Sequence, residues 1–188
     1  MIDLQFINQR VQKGKQAKEK AGTNFSNLSY SQLNWKPSNK SWSIAECLEH
    51  LVISDSLYFD DLKSIINGTY KMNWWQKHSP FSSICARLLK DRMKENITIK
   101  TITPKKLMPS ATGKSTGFVK TYLSNLATFL DLIAQCKNVD IDKTIIISPT
   151  IKIVTYSLRD AFEFLINHEH RHINQAIRVK EYAGFPKN

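Results

Sequence analysis

The ten residues Trp42-Ser43-Ile44-Ala45-Glu46-Cys47-Leu48-Glu49-His50-Leu51 contain a helix start and, about two turns further on, a histidine. Ser43 and Glu46 have capping-box spacing: the serine oxygen accepts from the backbone N–H three residues on, and the glutamate reaches back to the serine N–H. A long helix is therefore predicted over residues 43–67, with Gly68 as its stop. Within it Cys47, His50, Ser54 and Leu57 follow at steps of three and four, which places His50 on one stripe with them.

On the N-terminal side, Pro37 and Asn39 mark a break over residues 34–41. Before it, Leu4, Ile7, Val11, Ala21, Phe25 and Leu28 recur with helical spacing, with Gly14 and Lys18 filling the missing places, and predict a rather polar helix over residues 2–29. Towards the C-terminus, Val119, Tyr122, Leu123, Leu126, Leu130 and Ile133 predict a helix over residues 116–137. An extended stretch over residues 145–156 leads into Ser157-Leu158-Arg159-Asp160, which starts a last helix over residues 157–182, closed by Gly184 and Pro186. Between the second and third helices the chain reads as irregular, with a short helix over residues 81–93, an extended piece over 97–102, and Pro104 and Pro109 keeping it open. Four amphipathic segments in 188 residues fit an all-α single domain, residues 1–188, built as a four-helix bundle whose sites lie between facing helices.

Composition narrows the function classes. Six Gly, six Pro and a 10% aromatic share exclude collagen-like and disordered chains. Cys47, Cys85 and Cys136 form no CxxC pair, so neither a disulfide framework nor a cysteine zinc knuckle is expected and a reducing cytoplasm is the default. No stretch approaches the roughly 20 apolar residues of a membrane span, and residues 1–15 lack the apolar core of a secretory signal. The formal charge is +11, and +10 of it falls in residues 63–120, where twelve basic residues face only Asp91 and Glu95. The basic residues there alternate with Pro and Ser instead of lining a helix, and no helix-turn-helix, RNP or zinc-finger pattern is present. Nucleic-acid binding is accordingly disfavoured, and the excess reads as a basic surface near one end of the bundle.

The chemistry lies in Asn167-His168-Glu169-His170-Arg171-His172. His168 and His172 are spaced i, i+4 and share a face, whereas His170 is turned about 200° from His168 and is expected at the solvent-facing helix surface. With His50, three imidazoles can meet inside one bundle. Packing explains them poorly, since every neutral ring has two nitrogens to satisfy. A divalent metal satisfies one nitrogen on each ring and leaves further positions for water or substrate.

The segment Trp42-Ser43-Ile44-Ala45-Glu46-Cys47-Leu48-Glu49-His50-Leu51 after Pro37 resembles the DinB-like superfamily signature W-S-x-x-E-x-x-x-H-L. His168 to Gln175 is similar to the family's H-x-x-R-H-x-x-Q segment, and Ser148-Pro149 before Thr155-Tyr156-Ser157-Leu158 resembles its connecting loop. This resemblance implies an up-down-down-up bundle, a metal held by His50, His168 and His172, and a homodimer acting on a small molecule. Characterised relatives include S-transferases that use bacillithiol or mycothiol and a mycothiol-dependent isomerase. Imidazole ligation suits zinc, nickel and iron alike. The expected function is thus a metal-dependent enzyme of the thiol S-transferase or hydrolase type, with a low-molecular-weight thiol as possible cosubstrate. The alternative is a non-catalytic metal-binding or stress-response scaffold.

Other residues have plainer readings. His78, in Trp74-Trp75-Gln76-Lys77-His78, is read as part of a loop that can serve as a lid, Asn174 and Gln175 as polar helix face or as partners orienting a ring, and Cys47 as a small buried hydrophobe. Gly113-Lys114-Ser115 ends like a phosphate-binding loop, but Met108 stands where that loop needs its first glycine.

Overall fold

The computed structural model describes residues 2–79, Arg87, Asp91 and 103–187. Its helices are α1 (Leu4–Phe25), α2 (Tyr30–Asn34), α3 (Ile44–Ser56), α4 (Phe59–Ile66), α5 (Trp74–His78), α6 (Phe118–Gln135) and α7 (Leu158–Val179), with a hairpin of β1 (Ile145–Ile147) and β2 (Thr155–Ser157) before α7. The short helix expected over residues 81–93 and the extended piece over 97–102 fall largely outside the described residues, as does Cys85.

The predicted caps form. Ser43 Oγ accepts from Glu46 N at 3.1 Å and Glu46 Oε2 accepts from Ser43 N at 2.7 Å, and Gly68 ends α4 with φ of 70°, a conformation that glycine adopts without a Cβ penalty. The long second helix, however, is two helices. Ser56 Oγ turns back onto the Val52 carbonyl at 2.7 Å, a side-chain bond that competes with the helical ladder. Tyr58 N then bonds the Asp55 carbonyl at 3.0 Å in a tightened turn, and the chain restarts at Phe59. The first predicted helix likewise stops at Phe25, and α2 has its own capping box at Ser29 and Gln32.

Cross-helix contacts fix the directions. α1 and α7 run parallel, because Lys13 Nζ donates to Asn167 at 2.8 Å, Lys20 Nζ to Asn174 at 2.6 Å and Lys180 Nζ to the Asn24 carbonyl at 3.2 Å. α3 and α6 are parallel too, with Ser56 against Asn125 and Phe59 of α4 stacked on Phe129. α3 opposes α7, since His50 faces His168 while Tyr58 meets Tyr156. The bundle is therefore up-down-down-up, and its parallel middle pair needs the long crossover that runs from α4 to α6. α1 and α3 lie diagonally, each packed on both α6 and α7.

Gly14 explains a gap in the α1 stripe. A Cβ there would press on Leu130 Cδ2 and lie 3.1 Å from Ile166 Cδ1, so a larger residue requires the Leu130 side chain to shift. Gly14→Val is expected to overpack this contact and destabilise the protein by about 1–3 kcal/mol in urea unfolding; an unchanged midpoint would show that Leu130 yields freely.

The extended stretch at residues 145–156 is in fact a hairpin, with Ile146 paired to Tyr156. Ser148 turns it, its N–H donating to the Val154 carbonyl at 2.8 Å and its Oγ accepting from Ile151 N at 3.3 Å. The hairpin thereby delivers Tyr156 into the core. Among the described residues no helix is long and apolar enough to cross a membrane.

Candidate metal centre

α3 and α7 bring His50, His168 and His172 together as predicted. All three are buried, one ring nitrogen of each lies within 4.8 Å of the others, and the ring centroids are 4.5–4.9 Å apart. His50 Nδ1 is 2.7 Å from the Leu107 carbonyl. A carbonyl only accepts, so Nδ1 carries the proton and Nε2 presents a lone pair. That lone pair faces His168 Nε2 at 3.1 Å, while His168 Nδ1 and His172 Nδ1 are buried without a hydrogen-bond partner. Buried imidazole nitrogens left unsatisfied are costly in a protein interior. A divalent cation among the rings would satisfy one nitrogen of each, and the donor set is one such an ion accepts.

The electrostatics also favour the neutral rings that ligation needs. Burial is the main cause of the lowered pKa of all three histidines. For His168 the other two rings push further in the same direction. For His172 the His50 ring and the Arg171 charge add to burial, with Gln175 acting against them. The Leu107 carbonyl opposes the fall at His50.

Trp42 covers the rings from one side, its centroid 4.9 Å from His50 and 5.7 Å from His172, nearly parallel to the latter. Gln175 lies by His172, whereas Asn174 accepts from Lys20 and so faces α1. Cys47 is fully buried with its thiol pKa raised by burial, which leaves it no nucleophilic role and agrees with its reading as a small hydrophobe.

Two expectations need correction. His170 is not at the solvent-facing surface: it is buried against α1, with Nε2 2.9 Å from the Lys13 carbonyl. The sequence leaves that side of α7 polar, yet α1 packs along it in parallel and takes its hydrogen bonds. Residues 74–78 are a helical turn, not a loop, because Asn73 and Gln76 form a capping box. His78 is exposed on that turn, 5.2 Å from Trp74, and is not in the cluster. Lys114, in the sequence rejected as a phosphate loop, pairs with Glu49 at 2.7 Å.

A buried polar group escaped the sequence reading altogether. Asp55 on α3, Glu169 on α7 and Tyr122 on α6 are each 0% exposed. Tyr122 donates to Glu169 Oε2 at 2.5 Å. Asp55 Oδ1 and Glu169 Oε1 are both buried with no N–H or O–H to accept from, and the two carboxyls act on each other, an arrangement that favours one proton held by the pair over two charges. Burial pushes Asp55 well above the usual carboxylate range, and the Glu169 charge pushes it further; Glu169 itself is raised to about 7, chiefly by burial. The signal was present in the apolar stripes. Ile44, Leu48 and Leu51 lead to Asp55, and Phe162, Ile166, Ile173 and Ala176 enclose Glu169, each at steps of three and four.

A small cavity of about 50 Å³ adjoins His168, with Ser54, Tyr58, Ser148 and Tyr156 in its wall.

Neither a curated protein nor a solved structure matches the chain. The family profile of the DinB superfamily matches residues 20–176, a span that contains α3, the hairpin, all three clustered histidines and most of α7. Matched over that length, the chain belongs to the DinB superfamily.

Proposed function

We propose that His50, His168 and His172 are the protein ligands of a divalent metal in an enzyme of the thiol S-transferase or hydrolase type, acting on a small-molecule substrate. The convergence of three buried neutral imidazoles, two of them with an unpartnered nitrogen, carries this reading. Such a metal lowers the pKa of a bound thiol or water, or polarises a substrate oxygen. Zinc, nickel and iron are all compatible with the donors.

The chain's own part is to hold and shield. The Leu107 carbonyl fixes the His50 tautomer, so that Nε2 remains a lone-pair donor. Trp42 keeps water off the His50 and His172 rings. No side chain is assigned as general base. By family resemblance the working unit is a homodimer, which sedimentation would read as twice the chain mass, and a reducing compartment would keep a thiol cosubstrate free.

The test is a panel of low-molecular-weight thiols, each with a generic alkylating electrophile, on metal-replete protein. Thiol-dependent product should form well above the uncatalysed rate, and His50→Ala should return it to background. Background rates with every thiol, together with no hydrolysis of ester or amide substrates, would favour the non-catalytic metal-binding scaffold.

A further inference from the structure

The turn between β1 and β2 carries exposed apolar side chains that the histidine centre does not use. Among the described residues, Trp74 at 71% and Ile153 at 66% are the most exposed large apolar side chains, and Ile151 and Met108 are each 50% exposed. All four come from segments that meet at this turn. Trp75 Nε1 donates to the Ile153 carbonyl at 3.1 Å and ties α5 to it, while Lys106 Nζ, from the short turn at Lys105–Leu107, donates to the Pro149 carbonyl at 3.2 Å. The same segments are free of acids: residues 67–79, 103–117 and 144–157 contain no Asp or Glu. Besides Lys114, which pairs with Glu49, they carry Lys71, Lys77, Lys105, Lys106 and Lys152, all exposed. Lys152 stands between the two isoleucines at the tip. One acid acts on the neighbouring Tyr70 and Tyr156, Asp61 of α4, and a single half-buried carboxyl does not offset five lysines.

We propose that this end of the bundle is a peripheral docking surface for an anionic lipid bilayer. Negative headgroups attract lysines, and tryptophan favours the headgroup level. The aliphatic tip of Ile151 and Ile153 suits the acyl boundary, with Lys152 reaching back to the headgroups along its flexible stem. Nucleic acid fits this surface less well. Single strands are held largely by stacking on aromatic faces, which isoleucines lack, and the three segments contain no arginine to fork onto a phosphate. The chain lies on the bilayer in this account and does not span it, in keeping with described helices that are too short or too polar to cross. Leu107, whose carbonyl holds His50, sits between Lys106 and Met108, so a docked chain keeps the segment over His50 at the bilayer. The docking surface itself is independent of the metal reading.

The test is sedimentation of the full chain with vesicles of phosphatidylcholine alone or with about 30% phosphatidylserine. The chain should bind the anionic vesicles at least about tenfold more tightly than the neutral ones, and salt at about 0.5 M should remove most of that difference. Ile151→Ser together with Ile153→Ser should weaken anionic binding about tenfold or more, through lost apolar burial. Lys152→Glu should weaken it about tenfold, whereas Lys15→Glu, the same charge change on an exposed position of α1, should leave it within about twofold. All the substituted side chains are exposed, so the variants should melt as the wild type does. Absence of binding to anionic vesicles, or full binding by the isoleucine variant, overturns the proposal. An equal loss from Lys15→Glu also overturns it, because net charge alone then explains the attraction. So does a single-stranded oligonucleotide that binds more tightly than the vesicles and is lost in Lys152→Glu, the behaviour of a nucleic-acid site.

Discussion

His168→Ala is expected to lower the affinity for a divalent metal by at least about a hundredfold, more than the loss of a partner that merely orients a ligand. His168 touches both other rings of the cluster: its Nε2 is 3.1 Å from His50 Nε2, and its ring centroid is 4.5 Å from that of His172. Its removal leaves two rings, on different helices, to hold the ion. A bound metal stabilises only the folded chain, by about 4 kcal/mol at a thousandfold excess over Kd. Chelator should therefore lower the wild-type melting temperature and leave that of His168→Ala unchanged. Metal content after dialysis and melting with and without chelator check this. A variant that keeps stoichiometric metal, or still melts lower in chelator, contradicts the ligand assignment.

The second large effect concerns the buried carboxyl pair. Glu169→Ala is expected to destabilise the protein by about 2–6 kcal/mol, at about 1–3 kcal/mol for each of two buried groups left without a partner. The Tyr122 hydroxyl and the Asp55 carboxyl both lose their acceptor, and no water-exposed route compensates them. Asp55→Asn should cost about 1 kcal/mol or less, because burial and the Glu169 charge favour a protonated Asp55 and an amide replaces that neutral carboxyl donor in nearly the same volume. Urea unfolding of both variants at neutral pH separates them. If Asp55→Asn were the more damaging, the proton would belong to Glu169. If neither changed the midpoint, the pair would not be buried as described.

The sequence and the structure agree where a feature is local or periodic. The Ser43 and Glu46 cap, the Gly68 stop and the i, i+4 histidines are each decided within a few residues, and each forms as read. The four long apolar stripes were enough to predict the bundle. What the sequence hid depends on a partner far along the chain. Beyond the break after Ser56, Tyr58 is placed by meeting Tyr156, 98 positions further on. The hairpin depends on a backbone ladder that carries no side-chain code. His170 looked like a surface residue because nothing near it announces that the Lys13 carbonyl will cover it. The Leu107 carbonyl that sets the His50 tautomer is a backbone atom with no residue-type signal at all. Asp55 and Glu169 are different: their stripes marked them as acids at core positions, and that conflict with the pattern was the legible sign of a buried polar pair.

Charge placement changes meaning in the same way. Several basic residues of the crossover lie outside the described residues, but Lys106 and Lys114 are engaged locally, with the Pro149 carbonyl and Glu49. These contacts tie the crossover to α3 and to the hairpin, the elements that flank the histidine cluster. Part of the basic excess thus holds the covering segment in place, and Leu107, between those two lysines, is the residue whose carbonyl reaches His50.

The most direct measurement is metal content together with X-ray absorption at the edge of whatever metal the wild-type protein retains. About one divalent ion per chain is expected, with three imidazole nitrogens in its coordination shell, the donor count of an open metal site. A chain that retains no metal after exposure to zinc, nickel and iron, or one whose metal shell contains no imidazole, contradicts the three-histidine site.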